Sequence, residues 1–366
     1  EVETLTLEDC LRIGIDNNLS LEGKRKEIQK SKYGVSENRS KLLPQITVIA
    51  GYNNNFDPPV SVTDGSSYGV PYNITKTLQH TANAGLEMQM PLFNQTLYTS
   101  MSIAKVMEEI SRLSYGKARE DIIMQISKMY YLGQVTAEQI VLIKANITRL
   151  EELRDITQAF FDNGMSMEVD LKRVNINLEN LKVQYDNAQA MMKQQLNMLK
   201  YIMDYPAEKE FVLTPVNTDS ITTVALTGLS ENIYELQLSQ SQVQLAEKQK
   251  KIISNGYIPS LSLTGSWRYA AYTDKGYHWF HSGPSNHWFR SYGLGLTLRI
   301  PIFDGLDKTY KIKKAMIDIE NSKLAWENAR KSLQTQYLNA VNDLMNNQRN
   351  FKKQKDNYLL AEDVYT

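Results

Sequence analysis

One cysteine, Cys10, is all that the 366-residue sequence holds. That excludes an intramolecular disulfide framework and a cysteine-based zinc site, and leaves Cys10 as an expected small apolar residue on a helix. Excess charge is missing too: Lys+Arg and Asp+Glu both count 41, so the basic surplus of a nucleic-acid partner is not there. No apolar run approaches the roughly 20 residues of a membrane-spanning helix. Nor does Glu1 open a secretory leader. It begins a polar segment that runs into an amphipathic pattern, so export would require a leader that was removed or lies outside this sequence.

Catalytic motifs are equally scarce. There is no Gly-x-Ser-x-Gly elbow, and Gly293-x-Gly295 opens no helix, so a phosphate loop is not expected. His278, His281 and His287 share one aromatic, polar loop with no carboxylate or cysteine partner nearby in sequence. A solvent-facing loop is favoured there over a metal site. The expectation is no catalytic residue, no metal and no cofactor.

What is present is a repeat. Leu43-Pro44-Gln45-Ile46-Thr47-Val48 is matched by Ile258-Pro259-Ser260-Leu261-Ser262-Leu263, and Gln89-Met90-Pro91-Leu92-Phe93-Asn94 by Arg299-Ile300-Pro301-Ile302-Phe303-Asp304. Leu21 and Ile28 stand at the same offsets before Pro44 as Leu236 and Val243 before Pro259. Each half therefore reads helix, strand, polar loop, strand, long helix.

The strand segments alternate. Ile46, Val48, Ala50 and Tyr52 oppose Gln45, Thr47 and Gly51; Ala82, Ala84, Leu86, Met88 and Met90 oppose Thr81, Asn83, Gly85, Glu87 and Gln89. Leu261, Leu263, Trp267 and Tyr269 oppose Ser260, Ser262, Thr264, Ser266 and Arg268, while Leu294, Leu296, Leu298 and Ile300 oppose Gly293, Gly295, Thr297 and Arg299. Successive side chains on a strand point to opposite faces, so each segment has one apolar and one polar wall. Two readings compete: a half-buried sheet in a soluble protein, and a barrel with lipid outside and water inside. The charges Glu87, Arg268 and Arg299 sit only on the polar wall, and aromatics such as Tyr52, Phe56, Trp267, Tyr269, Trp288 and Tyr292 gather where strands meet loops. Both features favour the barrel. Four strands cannot close one, because closed transmembrane barrels start at about eight, so several chains would have to share it.

Helical periodicity fills the rest. Gln95 to Phe161 carries no proline, and Leu171, Val174, Leu178, Leu181, Tyr185, Ala188 and Met192 step by three and four, as a coiled-coil seam does. A helix of that first length would extend roughly 100 Å. Gly164 is the expected helix-ending glycine and Ser166 the expected N-cap of a return helix that ends near Tyr205-Pro206. A continuous helix is expected over Leu7–Leu43, and Phe211-Val212-Leu213 reads as a short strand. A coiled coil of purely structural role fits these helices as well.

The order of Leu5-Thr6-Leu7-Glu8-Asp9-Cys10-Leu11, Asn17-Asn18-Leu19, the paired proline motifs and Phe161-Asp162-Asn163-Gly164-Met165-Ser166 resembles the TolC-like outer-membrane efflux protein family over nearly the whole chain. The resemblance implies an α+β membrane protein of the Gram-negative outer membrane. Four β-strands per chain would contribute to a trimeric 12-stranded transmembrane β-barrel, continued by a long α-helical coiled-coil periplasmic tunnel. It implies a first tunnel helix over 1–43, a first barrel hairpin with its extracellular loop over 44–91, and a long helical hairpin over 92–205 with its tip near 161–166. An equatorial segment over 206–232, a second-repeat helix over 233–256, a second barrel hairpin over 257–301 and a second long helix over 302–366 follow, the last lacking its return helix.

By the same resemblance the chain is the passive exit duct of a tripartite efflux or type I secretion system. Its partners would be a homotrimer's other copies, a periplasmic adaptor (membrane fusion protein), an inner-membrane transporter and outer-membrane lipid, with no nucleic acid. Phe161, Asn163, Gly164, Met165 and Ser166 would form the adaptor-docking tip. Asp170 stands where some members place a gate aspartate, though a first-turn carboxylate favoured by the helix dipole explains it equally. Glu87, Arg268 and Arg299 are the candidates for the barrel lumen. The alternative is a soluble coiled-coil scaffold or adaptor-like protein whose sheet packs internally.

Overall fold

The computed structural model describes residues 3–64, 66, 69–216, 228, 230, 232–273 and 288–365. His278, His281 and His287 lie outside the described residues, as does much of the segment expected to be equatorial. The elements in chain order are β1 (Glu3–Leu5), α1 (Leu7–Asn17), α2 (Leu19–Ser40), β2 (Gln45–Asn54), β3 (Val60–Asp64), β4 (Tyr72–Lys76), β5 (His80–Phe93), α3 (Gln95–Asp162), α4 (Glu168–Met203), β6 (Phe211–Leu213), α5 (Tyr234–Asn255), β7 (Ser260–Thr273), β8 (Trp288–Arg299) and α6 (Asp307–Tyr365). Internal contacts divide the chain into two units, one of residues 1–30, 109–240 and 325–366, the other of residues 31–108 and 241–324.

The first unit holds the one large buried apolar cluster among the described residues. Leu5, Cys10 and Leu21 pack with Ile122, Ile126 and Tyr130 of α3, Leu199, Ile202 and Met203 of α4, and Phe211 and Leu213 of β6. Gly14 contributes to this packing: a Cβ there would strike the Cδ1 of Ile126, a fully buried side chain that would have to shift. β1 pairs with β6 in parallel, Glu3 opposite Phe211 and Leu5 opposite Leu213. The sequence shows β6 as strand-like, but its partner lies some 200 residues away and carries no pattern of its own.

The continuous helix expected over Leu7–Leu43 is two helices. Asn18, with φ −57° and ψ 118°, ends α1 through its own N–H to Gly14 O, while its carbonyl accepts from Glu22 N of α2. Its side-chain Oδ1 accepts from Leu21 N at 3.1 Å, the N-cap bond of α2, and its Nδ2 donates to Ile202 O at 2.7 Å. A tertiary contact thus replaces one turn of helix. α1 itself opens on a capping box: Thr6 Oγ1 accepts from Asp9 N and the Asp9 carboxylate accepts from Thr6 N.

α3 runs unbroken for 68 residues. Its seam with α4 follows the expected spacing, since Leu178 and Ala188 are buried and Leu171, Val174, Leu181, Tyr185 and Met192 half-buried. At the other end of α4, Asp204 adopts a left-handed φ of 51°, with Tyr205 N donating to Lys200 O and Asp204 N to Tyr201 O.

The second unit is built on an antiparallel sheet in the order β2-β5-β7-β8. Asn94 and Asp304, each three residues past its repeat proline, cap the helices that follow: Asn94 Oδ1 accepts from Thr96 N and Leu97 N, and Asp304 Oδ2 from Lys308 N. The Lys308 ammonium holds the Asp304 carboxyl below its usual pKa. The first long loop is not featureless, because β3 and β4 pair as a separate hairpin with Val62 opposite Ile74.

Candidate functional site

The register of the four-stranded sheet puts like against like. Ile46 faces Met88, Val48 faces Leu86, Leu263 faces Leu296 and Leu261 faces Leu298. On the other wall Gln45 faces Gln89, Thr47 faces Glu87, Glu87 also faces Ser266, and Ser262 faces Thr297. A one-residue slip anywhere would mix the walls, so alternation in all four strands fixes the pairing. Gly85 lies beneath Arg268: a Cβ there would meet the Trp267 carbonyl oxygen and come within 2.8 Å of the Arg268 Cα.

Glu87 and Arg268, two residues apart in register on adjacent strands and so on the same face, form an ion pair across the polar wall. Both side chains are about two-fifths exposed, so the pair adds at most about 1 kcal/mol to stability. Its larger effect is to cancel two charges on one wall. The Arg268 Nε is buried without a hydrogen-bond partner. The pair borders a hollow of about 510 Å3 with Gln45, Thr47, Gln89 and the glycines Gly293 and Gly295 in its lining.

Arg299 is not brought to this pair. It lies at the helix end of β8 opposite Ser260 and lines a separate hollow of about 370 Å3. At the opposite end of the sheet Tyr52 meets His80, Oη to Nδ1 at 2.8 Å, while midway along β7 Trp267 packs edge-on against Tyr269 with ring centroids 5.5 Å apart. His80, only 8% exposed, was not singled out by sequence reasoning; its place opposite Asn54 became visible only with the register.

The apolar wall is uncovered in this chain. Ile46 is 68% exposed, Val48 73%, Leu294 80%, Leu296 67% and Leu298 61%, and every residue of β8 is exposed. Among the described residues the edges of the sheet, β2 and β8, each have one neighbour.

The turn between α3 and α4 is closed by backbone bonds from Met165 N to Phe160 O and from Gly164 N to Phe161 O, with Gly164 at φ +73°. That is the left-handed stop in which glycine avoids a Cβ clash. Asn163 Nδ2 donates to Ala159 O at 2.7 Å. Ser166 does not cap the return helix: the N-cap is Met167, which makes no side-chain bond, because the turn carries the chain one residue further before α4 starts at Glu168. Phe160 is 50% exposed, Met165 75% and Met167 74%, an apolar end with no cover in this chain. Asp170 sits in the first turn of α4, 3.6 Å from Arg173. Its neighbour Glu168 has a lowered pKa because Lys172 donates to it.

Comparison with known proteins gives a consistent result. A family model described as "Outer membrane efflux protein" matches residues 13–203. The chain is 21% identical over 316 residues to the outer membrane protein TolC of Vibrio cholerae serotype O1, covering 85% of this chain and 66% of that relative, just under two thirds of its length. Among solved structures, CusC superposes with a TM-score of 0.73 at 16% identity, over 94% of this chain and 78% of that one. The outer-membrane channel OprN gives a TM-score of 0.72 at 14% identity, over 92% and 73%. At these identities the structural likeness bears on the fold alone.

Proposed function

The chain belongs to the outer membrane efflux protein family, and from that premise we propose that it is one subunit of a trimeric outer-membrane exit duct. Substrates would pass through it from an inner-membrane transporter and a periplasmic adaptor to the outside. The observation that carries this reading is the sheet's pair of walls, apolar and uncovered on one side, polar and charged on the other. Lipid accepts the first and a hydrated bore the second. A sheet edge left open in lipid would cost several kcal/mol per unpaired backbone group, so β2 and β8 require partners. Copies joined β8 to β2 provide them, and three copies give twelve strands.

The soluble-scaffold alternative needs the sheet to pack internally, and the exposure of Leu294 and Val48 argues against it. In the duct, Glu87, Arg268 and Arg299 line the bore. The turn at Phe161, Asn163, Gly164, Met165 and Ser166 docks the adaptor through its exposed apolar side chains, and Asp170 contributes to the constriction. No step is catalytic: conduction needs a wall, a bore and a gate.

Fractionation, detergent extraction and size determination test the proposal. The expected result is a membrane-bound protein that leaves the membrane as a trimer only in detergent. A soluble monomer of the full chain would overturn it. Gly164→Val tests the tip separately, and undiminished adaptor binding by the folded trimer would remove the docking assignment.

A further inference from the structure

The hollow at the helix end of the polar wall has a composition unlike the rest of that wall. Lys41, just past α2, and Arg299 both line it, together with the amides of Gln45, Gln89 and Asn94 and the hydroxyl of Thr297. No carboxylate lines it among the described residues. Lys41 does have an acidic neighbour, Glu37 at 3.7 Å, but that carboxylate is 72% exposed and lies outside the hollow. That pairing offsets the Lys41 charge much as Glu87 offsets Arg268, so the field of the hollow rests on Arg299. Arg299 makes no ion pair among the described residues.

One level further along the sheet Arg268 is cancelled by Glu87. The charge of the polar wall is therefore concentrated at one end. A concave site with low-dielectric walls focuses such a field. Arginine adds a planar fork of N–H donors suited to carboxylate and phosphate oxygens, and the surrounding amides and hydroxyl add neutral donors.

We propose that this hollow is an anion-binding collar, and that the duct favours cargo bearing a carboxylate, sulfonate or phosphate group. The proposal rests on the duct reading, in which three copies of Lys41 and Arg299 would ring the bore where strands give way to helices. Glu87 then has a defined part: by cancelling Arg268 it keeps the rest of the wall from holding the same anions.

The test uses the full-length trimer in detergent with a single cysteine introduced at Thr297→Cys. Thr297 is two residues from Arg299 on the same wall, about 7 Å along the strand. The native Cys10 is fully buried and gives no background. The variant is labelled in parallel with an anionic sulfonatoethyl and a cationic trimethylammonioethyl thiosulfonate. The Arg299 charge at about this distance should raise the anionic-to-cationic rate ratio about sevenfold over that of a free thiol at low salt, with the excess shrinking at high salt.

Arg299→Gln should return the ratio to that of the free thiol, while Arg299→Lys should preserve it. A ratio equal to the free-thiol value in the otherwise native trimer overturns the collar. Failure of both reagents to label the folded trimer means that this wall does not face water, which overturns the duct reading as well.

Discussion

Asn18→Ala removes two partly buried bonds. The side chain donates to Ile202 O at 2.7 Å and accepts from Leu21 N at 3.1 Å. Leu21 is fully buried and Ile202 is 5% exposed, so the variant leaves one buried acceptor and one buried donor unpaired. At about 1–3 kcal/mol for each stranded group, local relaxation leaves a loss of about 3 kcal/mol. Global melting is a blunt readout, since a chain of this size carries an unfolding entropy near 0.8 kcal/mol/K and Tm would fall only about 4 °C. Hydrogen exchange is sharper. If α1, the start of α2 and the end of α4 open together, the protected amides of these segments should exchange about 150-fold faster. Asn18→Asp is the control: it keeps an acceptor for Leu21 N but loses the donor to Ile202, and should recover no more than half of the loss. Exchange within threefold of wild type in the alanine variant would refute the idea that this side chain holds the break.

Other expectations follow from single contacts. Burial, and secondarily Asp9, pushes the Cys10 thiol up to about 11, so the native protein should resist thiol reagents that label it once unfolded. Since the folded pKa is the higher one, the thiol's contribution to stability is present below pH 9 and lost as pH rises from 9 to about 11; urea melts across that range should show the decline. Thr6→Ala should cost about 1 kcal/mol by removing the α1 cap. The Thr6 hydroxyl and N–H lower the Asp9 pKa, so the cap's contribution should persist above the ordinary carboxylate pKa and fade as pH falls through the depressed folded value. The Thr6→Ala penalty, measured in urea, should shrink at acid pH. Leu306 holds a left-handed φ of 68° next to Gly305, and Leu306→Gly should raise stability by up to about 1 kcal/mol, measured by thermal melting of the detergent-solubilised protein.

The parts of the fold visible in the sequence are those whose signal is local. The alternation of Leu294, Leu296 and Leu298, and the seam from Leu171 to Met192, each repeat within a few residues, and the structure places them as that periodicity requires. The repeat prolines also located Asn94 and Asp304, although their capping role had to be seen. What was not legible depends on distant partners. Asn18 breaks a helix because Ile202 offers it a carbonyl, and Glu3 becomes a strand because Phe211 lies beside it. The β3–β4 hairpin is a different case. Val60-Ser61-Val62-Thr63 does alternate, but the run is too short to stand out from a polar loop. At the candidate site, residue identity pointed to Glu87, Arg268 and Arg299, whereas only the register showed that the first two pair and the third joins Lys41.

The second unit poses an energetic question that the first does not. In the first, Leu5, Leu21, Ile126, Leu199 and Met203 are buried nearly completely. In the sheet, Ile46, Val48, Leu294, Leu296 and Leu298 are all more than three-fifths exposed. Covering five such side chains is worth roughly 10 kcal/mol at about 2 kcal/mol each, as much as the entire net stability of an ordinary domain. A wall of this kind selects its surroundings. Water is the wrong solvent for it, while lipid is the wrong solvent for Glu87, Arg268 and Arg299 on the other side. The two demands are met together only if the sheet separates the two solvents, and a four-stranded sheet with open edges separates nothing by itself. In the proposed duct, solvation and edge pairing thus call for closure by further copies through independent routes. Glu87→Leu with Arg268→Leu divides them: the edges are untouched while the polar wall becomes partly apolar. Such a trimer should still assemble, because β2 and β8 keep their backbone groups, but conduct polar solutes more slowly. Loss of assembly in that variant would mean that the ion pair, and not the edges, drives closure.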